Sequence, residues 1–199
     1  MNDAWRVTAQ TSASRWLEVP VRIDDPKLWA DDVARDLVRD WGKPESEKDV
    51  ISSLLTAAWV ERDSEAIINL LFLPVSGPII GRVSIAIRRF DGLGIWLDRG
   101  YVLSEWEAEN IGPGMKCVYV EESSRPRFVA SAFVFKNGGH AVVVSVAPSL
   151  PLVYDAMTPD LYSIIDAVEV LTPEGLKFVS EPIGEVAHGP LDVWMGESV

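Results

Sequence analysis

The sequence predicts an α+β fold: an antiparallel β-sheet of about six or seven strands, with N-terminal helices and one long C-terminal helix packed on it. Three observations predict this class. Apolar residues recur at helical spacing early in the chain and again near residue 160, and with a period of two between those regions. Tight turns join most of the strand-like segments, which favours antiparallel pairing. The helices precede and follow the strands, as they do in α+β folds.

The N-terminal elements follow from local signals. Residues 1–15 are polar and predict a flexible arm, whereas 16–23 alternates as a strand does. A helix is expected next, with Asp25 as its N-cap and Pro26 at its first position. A second apolar-periodic segment predicts a helix over 46–61. Two helices are therefore expected in the sequence between the first strand and the other strands of the sheet.

The middle of the chain has the patterns of strands. The Asn137-Gly138 pair is the strongest hairpin signal, because both turn positions favour positive φ. Residues 95–107 predict one or two shorter strands with uncertain boundaries. The other predicted strands are 66–73, 82–88, 115–121, 127–136 and 140–147.

The C-terminal part begins with a helix. Thr158-Pro159 repeats the cap-then-proline start, and residues 150–156 could form an earlier turn of the same helix. We expect residues 16–171 to form one α+β domain. Residues 172–199 are punctuated by proline and glycine and predict an acidic tail that wraps around the domain or docks on it.

The charge of the chain restricts its partners. Among 199 residues, 18 Lys and Arg stand against 30 Asp and Glu, for a formal net charge of −12. This opposes binding to nucleic acid, which needs cations to neutralise phosphates, and binding to anionic membranes. Residues 24–49 and 172–199 each carry a net charge of −4. A basic protein partner is the kind that this acidity favours.

Compartment and membrane topology follow from what the sequence lacks. The longest apolar runs are far shorter than the roughly 20 residues that span a bilayer, and the N-terminus has no signal-peptide core. Cys117 is the only cysteine, so the chain forms no internal disulfide. We expect a cytoplasmic protein without membrane insertion.

Catalytic chemistry has little support in the sequence. The two histidines, His140 and His188, have no neighbour at metal-ligand spacing, and no nucleophile or phosphate-binding motif is present. We expect no catalytic residues, no metal and no cofactor. The alternative is a small hydrolase or transferase that uses carboxylate and histidine chemistry from Glu121, Glu122, His140 and Asp155.

The sequence instead favours a non-catalytic interaction protein: an accessory, chaperone-like or inhibitor subunit, including an immunity-type inhibitor of a basic toxin. A small-ligand binding domain and a structural component of a larger assembly remain open. Aromatic residues dominate binding hot spots, so tryptophans outside the helices are candidates, together with paired acids on the first helix and in a turn. The interaction candidates are Trp96, Trp106, Trp194, Asp31, Asp32, Glu121 and Glu122.

The order of elements resembles the PsbP-like α/β/α family over roughly residues 16–170. The best-matching stretch is 128–170, in which the hairpin FVASAFVFKNGGHAVVVSV precedes the helix LVYDAMTPDLYSIIDAV. It looks like the closing unit of that family, whose last helix lies on the sheet. The resemblance implies a non-catalytic binding or assembly-factor role and brings no catalytic residues with it.

Overall fold

A computed structural model describes residues 4–11, 15–74, 80–121 and 125–184. It confirms the α+β class, with a seven-stranded antiparallel sheet between helices. The helices are α1 (Pro26–Asp40), α2 (Lys48–Val60), α3 (Gly94–Leu97) and α4 (Pro151–Asp166). The strands are β1 (Arg6–Thr8), β2 (Trp16–Val19), β3 (Ile68–Phe72), β4 (Gly81–Arg89), β5 (Val102–Ala108), β6 (Gly112–Glu121), β7 (Phe128–Asn137), β8 (His140–Ser149) and β9 (Glu169–Leu171).

The strand order of the large sheet is β2-β3-β4-β8-β7-β6-β5. Strands β5 to β8 form a meander, and β8 then pairs with β4, so the connection from β4 to β5 crosses one face of the sheet. That connection carries α3. Strands β2 and β5 are consequently the two edges of the sheet.

Each face of the sheet has its own apolar layer, because successive side chains on a strand point to opposite sides. On one face, called the α4 face, Phe133 and Phe135 pack against Met157 and Leu161 of α4. On the opposite face, the α1–α2 pair packs against β2 and β3 through Leu71 and its neighbours. The segment that carries α3 covers β6, β7 and β8 on that same face.

The predicted helix starts are confirmed for α1 and corrected for α4. The Asp25 carboxylate accepts bonds from the main-chain N–H groups of Lys27 and Leu28, each at 3.0 Å, as an N-cap does. Helix α4 begins at Pro151 and not at Thr158, and it contains Pro159 in its interior. An interior proline removes one helix hydrogen bond, and the buried apolar side of α4 compensates for that loss.

Several other segments differ from the sequence expectation. The segment predicted to be an arm contributes β1, which pairs antiparallel with β9. The region predicted to hold one or two strands forms α3 and then β5. In the described part of the tail, Phe178 is 2% exposed within the core, and Ser180 bonds to Ile111. None of the helices in the described ranges is long and apolar enough to cross a membrane.

Candidate functional site

Among the residues that the structure describes, strand β5 is an edge of the seven-stranded sheet. Within the described ranges its seven residues pair only with β6, with Val102 opposite Val118 and Ala108 opposite Gly112. In an antiparallel pair, alternate residues direct both N–H and C=O away from the partner strand. The outward groups of β5 are therefore available to bind another strand.

Three exposed glutamates lie along this edge. Glu105 and Glu107 alternate on β5, and Glu109 follows directly after it. The main-chain N–H of Glu109 donates to Oδ1 of Asp166 at 3.3 Å, so a fourth carboxylate lies at the same end. Asp166 is also the last residue of α4, where the helix dipole is negative. We call Glu105, Glu107, Glu109 and Asp166 the acidic edge. None of the four forms an ion pair with any described residue.

Trp106 anchors the acidic edge to the domain. It lies between the two glutamates of β5 but on the α4 face, where its ring centroid is 4.6 Å from that of Tyr162 and 5.2 Å from that of Phe133. Its cross-strand neighbour is Gly114. A Cβ atom at Gly114 would lie 2.5 Å from Cδ1 of Phe135, so this position has room only for glycine. Close packing therefore holds β5 in place.

A shallow cavity of about 390 Å³ adjoins the edge. Its lining includes Pro182 and Ile183 of the tail and Glu105 and Glu107 of β5. The remaining lining residues are Trp106, Pro113, Gly114 and Met115. The carboxylates of β5 therefore border a recess that can receive side chains of a bound segment.

Trp96 lies elsewhere, in α3, half-buried against the opposite face of the sheet. A cavity of about 620 Å³ beside it is also lined by Arg88, Arg89 and Arg99. The guanidinium of Arg88 bonds to Asp63 at 2.7 Å and also to Glu65, and that of Arg89 bonds to Asp91 at 3.1 Å. Two of these three arginines are thus already engaged by carboxylates of the protein.

The acids of α1 are mostly engaged within their own segment. Asp31 accepts bonds from Lys27 at 2.8 Å and from the Ser52 hydroxyl at 2.5 Å, which lower its pKa, and Asp32 pairs with Arg35 at 2.9 Å. Every basic residue of segment 24–49 forms an ion pair inside it. Six of the nine acids of this segment are therefore ion-paired within it, although its net charge remains −4, whereas none of the four residues of the acidic edge is ion-paired among the described residues.

The described residues of the enzyme alternative, Glu121, His140 and Asp155, do not form one site. Glu121 pairs with Phe128 at the start of β7, whereas His140 pairs with Asn137 at its end. A ten-residue strand separates them by about 30 Å. His140 is exposed and lies against Trp5, with 5.3 Å between ring centroids. Asp155 is exposed on α4. Glu122, His188 and Trp194 lie outside the described residues.

The described residues include neither a metal-binding group nor a reactive thiol. They contain no group of three His, Cys, Asp or Glu side chains able to hold a metal ion. Cys117 is buried on β6, and burial raises the pKa of its thiol to about 12. A thiol with that pKa is a poor nucleophile near neutrality.

Sequence reasoning identified Trp106 but not the glutamates around it. The signal was present, because Glu105-Trp106-Glu107-Ala108-Glu109 alternates charged and apolar residues. Alternation predicts a half-buried strand but not its place in the sheet.

Comparison of the chain with protein-family models and with curated proteins finds no match.

Proposed function

We propose that the protein is a non-catalytic interaction module that binds a basic, extended segment of a partner protein along β5. The observation that carries this proposal is the acidic edge: a free edge strand whose exposed carboxylates have no cationic partner among the described residues. The binding role implied by the PsbP-like resemblance agrees with it.

Strand addition explains both parts of the arrangement. A partner strand that pairs with the outward N–H and C=O groups of β5 gains main-chain hydrogen bonds, which supply affinity without sequence selectivity. Lys or Arg at alternate positions of that strand would lie opposite Glu105 and Glu107, and opposite charges across a strand pair are favourable. Selectivity for a basic segment would then come from the glutamates.

The distribution of charge supports this surface over the others. Most acids of segment 24–49 are already ion-paired within it, and two of the three arginines beside Trp96 are paired with carboxylates. Charged residues on edge strands can also serve to prevent edge-to-edge aggregation. Glutamates with that role would keep every added strand away from β5, whereas our proposal requires that β5 pairs with a basic strand.

A peptide-binding experiment separates these two roles. The probe is a dye-labelled peptide of four Lys-Val repeats, titrated with the full chain and followed by fluorescence anisotropy. The variant Glu105→Lys/Glu107→Lys should bind about thirtyfold more weakly, since two favourable cross-strand charge pairs of roughly 0.5 kcal/mol each become repulsive by a similar amount, a change of about 2 kcal/mol. The control variant Glu18→Lys/Asp24→Lys changes the net charge equally at the opposite edge, and it should bind within about twofold of the wild type.

A second probe tests for strand pairing. A peptide with proline in place of each valine keeps the charge but lacks half of the main-chain donors. The proposal expects it not to bind. The proposal would be overturned if both charge variants lost the same affinity or if the two peptides bound equally well. It would also be overturned if the Lys-Val peptide did not bind at millimolar concentration.

A further inference from the structure

A cluster of polar side chains lies between α4 and the middle of the sheet, separate from the outward groups of β5. The ammonium of Lys116 on β6 donates to the phenol oxygen of Tyr162 at 2.6 Å. Three aromatic rings surround it, with centroids 5.0 Å (Tyr162), 5.6 Å (Trp106) and 5.9 Å (Phe133) from Nζ. No carboxylate of the described residues pairs with this cation.

Three buried polar atoms in this region have no hydrogen-bond partner in the described part of the chain: Nε1 of Trp106, Oγ of Ser131 and Oη of Tyr154. Ser131 is 2% exposed and Tyr154 is 8% exposed. Unpartnered polar atoms at such depth are rare in folded proteins, since each loses its bonds to water without replacing them. Three of them near one ammonium is an unusual concentration.

The strand register and the ring contacts place these side chains on the same part of the α4 face. Lys116 is opposite Phe133 and Val118 is opposite Ser131, so Lys116 and Ser131 are diagonal neighbours on the α4 face. Burial raises the pKa of Tyr154, and both the Ser131 hydroxyl, which lies close to the Tyr154 phenol, and the Lys116 ammonium oppose that rise; the two hydroxyls are nevertheless not aligned as a hydrogen bond of normal geometry. Trp106 contacts the ring of Tyr162. We call Trp106, Lys116, Ser131, Tyr154 and Tyr162 the Lys116 cluster.

The Lys116 cluster has many donors and few acceptors. An ammonium offers three N–H donors, an indole offers one, and each hydroxyl offers one, whereas the hydroxyl oxygens are the main acceptors there. A water molecule could satisfy some of these groups but brings no negative charge to pair with Lys116. A group with several acceptor lone pairs and a negative charge satisfies both requirements.

We propose that the Lys116 cluster is a binding site for a small oxyanion, a carboxylate or a phosphate group. Lys116 supplies the charge, Trp106 donates its indole N–H, and the hydroxyls of Ser131 and Tyr154 donate from the buried side. Trp106, Lys116 and Tyr162 are half-buried and form the accessible side of the site. This site does not depend on partner binding at the acidic edge.

The probes are sodium acetate and sodium phosphate, with sodium chloride at matched ionic strength. In two-dimensional NMR spectra of the full chain, the indole N–H signal of Trp106, assigned by its loss in Trp106→Phe, should shift downfield with one or both oxyanions. Lys116→Met should remove the response of the remaining cluster signals and weaken binding at least tenfold. Lys136→Met removes another lysine of the same sheet and should leave the response unchanged.

The variant Tyr154→Phe provides a second test, in which the stability of the free protein and its stabilisation by oxyanion should not fall together. Because the Tyr154 hydroxyl makes no hydrogen bond of normal geometry in the described part of the chain, its removal should leave the melting temperature without oxyanion unchanged or higher, while the stabilisation by oxyanion falls. Equal shifts in chloride, or an unchanged response in Lys116→Met, would overturn the proposal. The absence of a response to either oxyanion would also overturn the proposal and would indicate that the cluster binds only water.

Discussion

Ser52 donates a hydrogen bond to Asp31, with 2.5 Å between Oγ and Oδ1, and this bond joins α2 to α1. Ser52 is 2% exposed, so the hydroxyl is removed from solvent while the carboxylate keeps a second bond to Lys27 at 2.8 Å. Asp31, identified in the sequence as an interaction candidate, therefore has a structural contact as well. The α1–α2 pair owes part of its stability to an ionised side chain.

Low pH should weaken the contact between α1 and α2 that Asp31 forms. Bonds from Lys27 and Ser52 lower the pKa of Asp31 below its ordinary value of 3.8. A carboxyl with a lowered pKa in the folded state stabilises the fold above its unfolded pKa, and that stability is lost as the pH falls through the folded pKa. In urea unfolding, Asp31→Asn should be less stable than the wild type at pH 7, and the difference should close near pH 2. The control Asp32→Asn, which removes only an exposed ion pair, should differ little at either pH. A gap of the same size at both pH values would contradict the assignment.

Gly114 should not tolerate a side chain. An added Cβ would lie 2.5 Å from Cδ1 of Phe135 and 2.7 Å from the main-chain oxygen of Val134, and the oxygen cannot move without distorting β7. Gly114→Ala should lower the free energy of unfolding by about 1–3 kcal/mol, the usual range for overpacking. Gly139→Ala is the matched control, because nothing lies within 4 Å of its added Cβ. Equal stability of the two variants in urea unfolding would show that β6 and β7 can separate at this point.

Cys117 should resist alkylation in the folded protein. With a pKa of about 12, on the order of one thiol in ten thousand is ionised at pH 8, and the side chain is buried as well. Mass spectrometry after treatment with iodoacetamide should show slow labelling in buffer and rapid labelling in urea. Rapid labelling in buffer would place the thiol at the surface.

Asp160 should stabilise the contact between α4 and β2. Its carboxylate accepts a bond from the indole N–H of Trp16 at 3.1 Å and two bonds from Arg15 at 2.9 and 3.1 Å. Because Arg15 is partly exposed, Asp160→Ala should cost about 1–2 kcal/mol, less than a fully buried pair would. Asp155→Ala removes an exposed carboxylate from the same helix and should cost close to nothing. Equal effects of the two substitutions on the urea midpoint would rule out this contact.

Elements set by local chemistry could be predicted from the sequence. The Asp25 cap is satisfied within three residues, and the hairpin predicted from Asn137-Gly138 is present, although its turn lies one residue later, at Gly138-Gly139, because Asn137 still pairs with His140. Strand β1 could not be found in this way. Its partner, β9, lies more than 160 residues along the chain, and three residues carry no periodic signal.

The candidate site was only partly predictable for the same reason. Trp106 was identified by its residue type, but the importance of Glu105 and Glu107 depends on β5 being an edge. That position follows from the pairing of β4 with β8, which excludes β5 from the middle of the sheet. The unpartnered atoms around Lys116 likewise depend on how α4 lies on the sheet. No single segment of the sequence contains either arrangement.

The most direct test of the account is amide hydrogen exchange along β5 in the presence of the Lys-Val peptide. Outward amides of residues 102–108 exchange freely while the edge is unpaired, and an added strand should bond to them. We expect these amides to slow at least tenfold in the complex, with no change in β2 and no slowing in the Glu105→Lys/Glu107→Lys variant. Protection confined to other parts of the protein, or none at all at saturating peptide, would contradict the claim that β5 is where a partner binds.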